Sequence, residues 1–168
     1  LQSITNKTLW IADENALGIA SAITRDEKFQ AISNRYDIFV EMHNRGLHAT
    51  FSDYDFSAQD DNSFDTIIYR VSKERAVVHH IFNHALRLLK NGGKLLLAGE
   101  KSEGIKGYVD KAGKLFGDKV SAKKQGNAYF AELIKHSDYS TRQSSGTLLD
   151  DTQYQSLRAT GELTVHNE

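Results

Sequence analysis

Phe64-Asp65-Thr66-Ile67-Ile68-Tyr69-Arg70-Val71, the stretch from Lys73 to Lys90, and Lys94-Leu95-Leu96-Leu97-Ala98-Gly99 form the passage that decides the fold. The first run is rich in β-branched and aromatic residues, which suit a pleated strand. The second carries Val77, Val78, Ile81, Phe82, Ala85, Leu88 and Leu89 along one side of a long helix. Asn91, Gly92 and Gly93 then read as its stop. The third run has no polar alternation, the pattern of a strand covered on both faces by helices in a parallel sheet. A central place in the sheet is expected for it. A charge at Leu96 should therefore unfold the domain, because a buried unpaired charge costs several kcal/mol, a large part of a small domain's stability.

Working outward, the same alternation continues in both directions. Thr8 to Asp13 (TLWIAD) reads as a strand, and Glu14 to Ile23 as a helix with Ala16, Leu17, Ile19, Ala20 and Ile23 at helical spacing. Phe29 to Ser33 is a second strand, Tyr36 to Arg45 a short helix closed by Gly46, and Ala49 to Asp53 a third strand. On the C-terminal side, Gly104 to Phe116 makes another helix and Asn127 to Lys135 a final strand. Such a series predicts an α/β fold, a Rossmann-like, doubly wound and mainly parallel sheet with right-handed crossovers. Its ligand crevice would lie beyond the carboxyl ends of the strands. After Lys135 the character changes: His136 to Thr147 holds six Ser or Thr and few large apolar residues, the mark of a linker or surface excursion. Residues 1–135 thus read as the domain, and residues 136–168 as a polar linker and a strand, Gly161 to Glu168. The leading Leu1 and that terminal strand suggest a chain cut from something longer, with a further domain to follow.

The 168 residues suit one domain, and no apolar run approaches the roughly 20 residues of a membrane span. There is no Cys, hence no disulfide framework and no zinc–cysteine site, and no segment has the layout of a signal peptide. A cytoplasmic setting without a membrane partner is the expectation. The net charge of -1 conceals an asymmetry: Ile11 to Asp65 has 4 Lys or Arg against 11 acids, and Leu86 to Lys135 has 11 against 5.

In a nucleotide-binding α/β fold the first strand runs into a glycine-rich turn, because the backbone must approach the ligand closely. Here that turn is Asp13-Glu14-Asn15-Ala16-Leu17-Gly18. It has an acid and one Gly, but Asn15 and Leu17 stand where glycines are wanted. An ordinary strand-to-helix turn capped by Asp13 or Asn15 is the favoured reading of it.

Phe64 to Tyr69, the long helix and Leu88-Leu89-Lys90-Asn91-Gly92-Gly93-Lys94-Leu95-Leu96-Leu97 resemble the fourth-strand, helix and fifth-strand region of class I SAM-dependent methyltransferases. More narrowly, the chain resembles the N-terminal half of the two-domain bacterial guanine-N2 rRNA methyltransferases, the C-type enzymes that act on the RNA of the small ribosomal particle. The resemblance implies an rRNA substrate, S-adenosylmethionine as the cofactor of the parent enzyme, and a C-terminal catalytic domain on the same polypeptide. In that family an Asn-Pro-Pro-Phe motif follows the fourth strand of the active half. Arg70-Val71-Ser72-Lys73 occupies its place here, and the chain has no Pro at all. Asn34 stands where the family has an acid for the ribose hydroxyls, and Asp53 falls where an adenine-contacting acid would lie. Asp13, Asn15, Gly18, Asn34 and Asp53 therefore form a degenerate cofactor set. The implied function is that of a noncatalytic domain, with no cofactor of its own, which aids binding and positioning of the rRNA.

Arg70 and Lys73 make the crevice mouth cationic, and Lys101 and Lys106 follow the expected central strand on the side where such folds present ligands. These four are the candidate RNA contacts. Surface pairing with acids such as Glu74 is the competing reading for Arg70 and Lys73. His80 and His84 have the spacing of a metal pair, but no Glu follows His80 and no Cys supplements them, so no metal is expected. Tyr54, Phe56, Tyr69, Tyr108 and Tyr129 could stack on bases, yet aromatics near strands are mostly core. Two other functions fit the same sequence: an independent SAM-dependent methyltransferase with an atypical turn, and a structural module that docks a partner domain.

Overall fold

The computed structural model describes residues 6–12 and 28–150, with residues 152 and 154. Among them seven strands form one sheet: β1 Thr8–Ala12, β2 Phe29–Ser33, β3 His48–Phe51, β4 Phe64–Arg70, β5 Leu89–Glu100, β6 Lys123–Gln125 and β7 Ala128–Ile134, in the order β3-β2-β1-β4-β5-β7-β6. The first five pair in parallel, and β7 pairs antiparallel with both β5 and β6. Four helices are described: α1 Tyr36–Asn44, α2 Arg75–Leu88, α3 Ile105–Phe116 and α4 Tyr139–Ser144. The order reverses direction at β1 and β4, which start from one register, with Thr8 opposite Thr66.

Side-chain alternation assigns the two faces. Leu9, Ile67, Leu95 and Leu133 align across the sheet, as do Ile11, Tyr69 and Leu97; all are buried beneath α2 and α3. On the opposite face α1 covers Trp10, Ala12 and Ala31 through Ile38 and Met42. Farther along that face Ile68, Leu96 and Ala98 are half-buried and Phe130 is exposed.

Lys94–Gly99 is therefore an interior strand, as its apolarity implies, but its cover is one-sided among the described residues. Leu95 and Leu97 are buried and Leu96 is not. The helix expected at Glu14 to Ile23, which could add to the cover, lies outside the described residues. Asn91, Gly92 and Gly93 also differ from expectation. The helix ends at Leu88, and the three residues lie inside β5, where the β4 register shifts between Phe64 and Thr66. Gly92 has φ 78°, and a Cβ on Gly93 would stand 2.8 Å from the Lys90 carbonyl oxygen. The glycines allow a bulge that clamps Lys135 through Gly92 N–H to Lys135 O and Lys135 N–H to Gly93 O.

The polar stretch after Lys135 is not wholly an excursion. It contains α4, whose Arg142 donates to the Leu115 carbonyl and to Ser137 Oγ. Leu148 and Leu149 then pack against the main core. Asn83 on α2 holds this tail with two bonds: its Nδ2 donates to Leu149 O at 2.8 Å and its Oδ1 accepts from Leu149 N–H at 2.9 Å. The strand expected at Gly161 to Glu168 and the helix expected at Glu14 to Ile23 lie outside the described residues.

Candidate functional site

The carboxyl ends of β1, β2 and β3 adjoin one another, so residues following these strands meet where such folds receive ligands. Asp13, Asn15 and Gly18 lie outside the described residues. Asn34 follows β2 directly, and Asp53 and Tyr54 follow β3. Tyr54, 5% exposed and at φ 64°, turns its ring inward across these ends. Its hydroxyl lies 3.0 Å from Asn34 Oδ1 and 3.4 Å from the Ala12 carbonyl oxygen, so it spans from the end of β3 to the end of β1. The Asn34 side chain thus bonds a tyrosine of the same domain. Behind Tyr54, its carbonyl meets His80 Nε2 at 2.8 Å. The His80 ring stacks on Tyr154 at 3.7 Å between centroids, and the Tyr154 hydroxyl donates to the Asp53 carbonyl. Among the described residues, polar and aromatic contacts thus link the ends of β1, β2 and β3 to α2.

The three histidines of α2 serve packing. His79 and His80 are buried, and no group of three or more potential metal ligands occurs among the described residues. His79 Nδ1 meets the Asp150 carbonyl at 3.0 Å, which fixes the tail to the helix. Burial lowers its pKa, with the Lys111 and Arg75 charges adding to the effect. Burial also pushes His84 down to about 3, assisted by His80 and Arg87.

The cationic candidates divide into two kinds. Arg70, at the end of β4, is engaged: its Nη2 lies 3.0 Å from Glu103 Oε1 and 3.9 Å from Glu100 Oε1. Those acids form a capping box around the short 3-10 turn at Lys101–Glu103, with the Glu100 N–H donating to Glu103 Oε1 at 2.8 Å. Lys73, Lys101 and Lys106 are exposed. Lys73 and Lys101 form no ion pair among the described residues, and Lys106 Nζ lies 5.0 Å from the Tyr129 ring centroid. Tyr54, Phe56, Tyr69 and Tyr108 are all core residues, whereas Tyr129 is half-buried beneath Lys106. Sequence reasoning missed the inward turn of Tyr54 and the role of Tyr154, since neither residue type signals its direction. It also missed β6, whose Lys-Lys-Gln has no apolar alternation.

A sheet in this order, carrying helices on each face and a final antiparallel strand, defines the Rossmann-like architecture of class I methyltransferases. The sequence model of the family described as methyltransferase small domain N-terminal matches residues 1–144, and the chain belongs to that family. Among solved structures, it is similar to the T. thermophilus 16S rRNA N2 G1207 methyltransferase in complex with AdoMet and guanosine, with TM-score 0.63 and 20% identity over 79% of this chain. The chain spans about a third of that protein, 36% of its length. It is also similar to a protein from Pyrococcus horikoshii OT3, with TM-score 0.61 and 16% identity over 76% of this chain and 81% of that one. No curated protein matches the chain. No helix among the described residues is long and apolar enough to cross a membrane.

Proposed function

We propose that this is a noncatalytic methyltransferase-like domain that helps bind and position rRNA for a SAM-dependent catalytic domain of the same polypeptide. The observation that carries the reading is Tyr54. An adenosyl group needs open space beyond β1 and β2 and a free acceptor after β2 for its ribose hydroxyls. Here the tyrosine hydroxyl lies between Asn34 Oδ1 and the Ala12 carbonyl, which supports a domain without a cofactor of its own. At the position expected to receive a target amine, Arg70 instead meets the carboxylates of Glu100 and Glu103. Family membership supports the methyltransferase relation, and the 16S rRNA specificity of the T. thermophilus enzyme supports rRNA.

Exposed lysines supply the phosphate contacts in this reading. Lys101 and Lys106 lie just after β5 and at the start of α3, on the carboxyl side of the sheet. Contacts of this kind position an RNA without reading its sequence. Changing Lys101 and Lys106 together to Glu in the full-length protein should weaken rRNA binding and lower its salt slope by about one unit for each phosphate no longer neutralised, with SAM affinity unchanged. Unchanged RNA affinity and slope would exclude these contacts and favour a domain-docking role.

A further inference from the structure

The β6–β7 hairpin pairs a lysine with an aromatic ring on each of its faces. Lys123 stands opposite Phe130 and Lys124 opposite Tyr129, and directly paired residues share a face. Phe130 is 42% exposed. Tyr36 is equally exposed, but it packs against the rings of Phe39 and Phe51, whereas Phe130 makes no ring contact among the described residues. Beside Phe130 a slot of about 520 Å³ is walled by Leu96, Val120 and Ala131 and rimmed by Lys123 and Lys124. That size falls within the range of small-ligand pockets, roughly 300–1,000 Å³.

Charge indicates the occupant. Lys119, Lys123 and Lys124 pair with no carboxylate among the described residues. The nearby acids are engaged: Glu132, which lines the slot, pairs with Lys94 at 3.4 Å, Glu103 pairs with Arg70, and Asp118 accepts from the Ile134 N–H at 2.8 Å. An edge strand often carries lysines merely to prevent aggregation. That explains Lys123 and Lys124 but not a bare phenylalanine and an apolar slot beside them. An acidic peptide would satisfy the lysines and leave the ring in water. A nucleotide matches both features, offering a π-face to the ring and a phosphate to the ammonium groups.

We propose that the β6–β7 hairpin is a binding site for an unpaired RNA nucleotide, whose base stacks on Phe130 while its phosphate meets Lys123 on the same face. The proposal rests on the RNA reading above and adds the form of RNA, single-stranded, and the residues that hold it. The test is anisotropy titration of the 168-residue chain with a fluorescein-labelled, unstructured RNA of about a dozen nucleotides, a length adequate for a single-strand groove. A duplex of equal length is run alongside. Phe130→Ala should weaken single-strand binding by about tenfold and leave the salt slope in place, and Phe130→Tyr should restore the affinity. Lys123→Ala should lower the slope by about one unit, the value for one phosphate contact, and Lys124→Ala, on the Tyr129 face, should lower it less. Thermal melts monitored by circular dichroism establish that each variant is folded. If these variants bind like the parent while Lys101→Glu with Lys106→Glu weakens binding, the hairpin proposal fails and the RNA reading stands. If the chain binds neither RNA, both fail. A preference for the duplex also overturns the proposal, as does a Phe130→Ala effect confined to association with the catalytic domain, which would make the face a protein-docking surface.

Discussion

At the scale of single residues, Tyr54 is the side chain on which the proposed absence of a cofactor turns. Its left-handed backbone, at φ 64°, is uncommon for a residue with a large side chain, and the contacts of its ring and hydroxyl hold it there. Tyr54→Phe should cost about 1 kcal/mol, since it keeps the ring and removes the hydroxyl from Asn34 and Ala12. Tyr54→Ala should cost about 3–5 kcal/mol through the cavity left behind, and urea unfolding distinguishes the two. His84 gives a second residue-level expectation, this time in pH. It sits at about 3 in the folded domain because it is buried, whereas the unfolded chain takes up a proton near the ordinary value of 6.5. Its contribution to stability is therefore complete above about pH 6.5 and is lost as the pH falls from there toward 3. Burial of His79 acts in the same direction. His84→Gln should flatten the acid limb of a stability-versus-pH curve, and an unaltered limb would mean that His84 is protonated in the folded state. Of these features, Asn34 and Asp53 were singled out only through the resemblance to the methyltransferase family. The sequence held no sign that Tyr54 would turn inward, because both the core and a ligand site favour an aromatic residue after a strand.

At the scale of elements, β5 shows which side of the parallel-sheet rule applies here. Leu95 and Leu97 face α2 and α3, whereas Leu96 and Ala98 lie on the half-covered face with Phe130. Leu95→Asp should unfold the domain, because burying an unpaired charge costs several kcal/mol. Leu96→Asp should be far milder, and comparing the two by thermal melts tests the face assignment. Gly99 permits a close approach at the end of the same strand: a Cβ there would stand 2.6 Å from Val71 Cγ2 and 3.2 Å from Ile105 Cβ. Gly99→Ala should thus cost roughly 1–3 kcal/mol by overpacking the junction with α3. The tail beyond α4 depends on Asn83 in the same specific way. Asn83→Ala removes both bonds to Leu149, and should raise amide hydrogen exchange there selectively while α2 stays protected. The long helix and the uniform strand were legible because hydrophobic periodicity over many residues outweighs local ambiguity. The bulge at Gly92 and Gly93 was not, since the same pair serves equally as a helix stop. Nor was α4, whose six residues, Tyr139–Ser144, are held by tertiary bonds from Arg142 rather than by any apolar stripe of their own.

At the scale of the whole molecule, the charge asymmetry of the chain has a structural counterpart. Exposed lysines from the basic half occupy the end of β5, the start of α3 and the β6–β7 edge, while Arg70 is tied to Glu100 and Glu103. The fold retains the strand order of a methyltransferase, yet its carboxyl-edge crevice is crossed by contacts within the domain, from Tyr54 to Asn34 and from Tyr154 to Asp53. The topology was legible from the alternation of strands and helices, whereas the content of the crevice depends on side-chain direction, which periodicity does not encode. Isothermal titration of the chain with S-adenosylmethionine tests the central claim most directly. The expected result is no saturable heat into the millimolar range, where binding would be worth only about 4 kcal/mol. Saturation at micromolar concentrations, about 8 kcal/mol, would contradict it by showing that the Tyr54 ring leaves room for the cofactor.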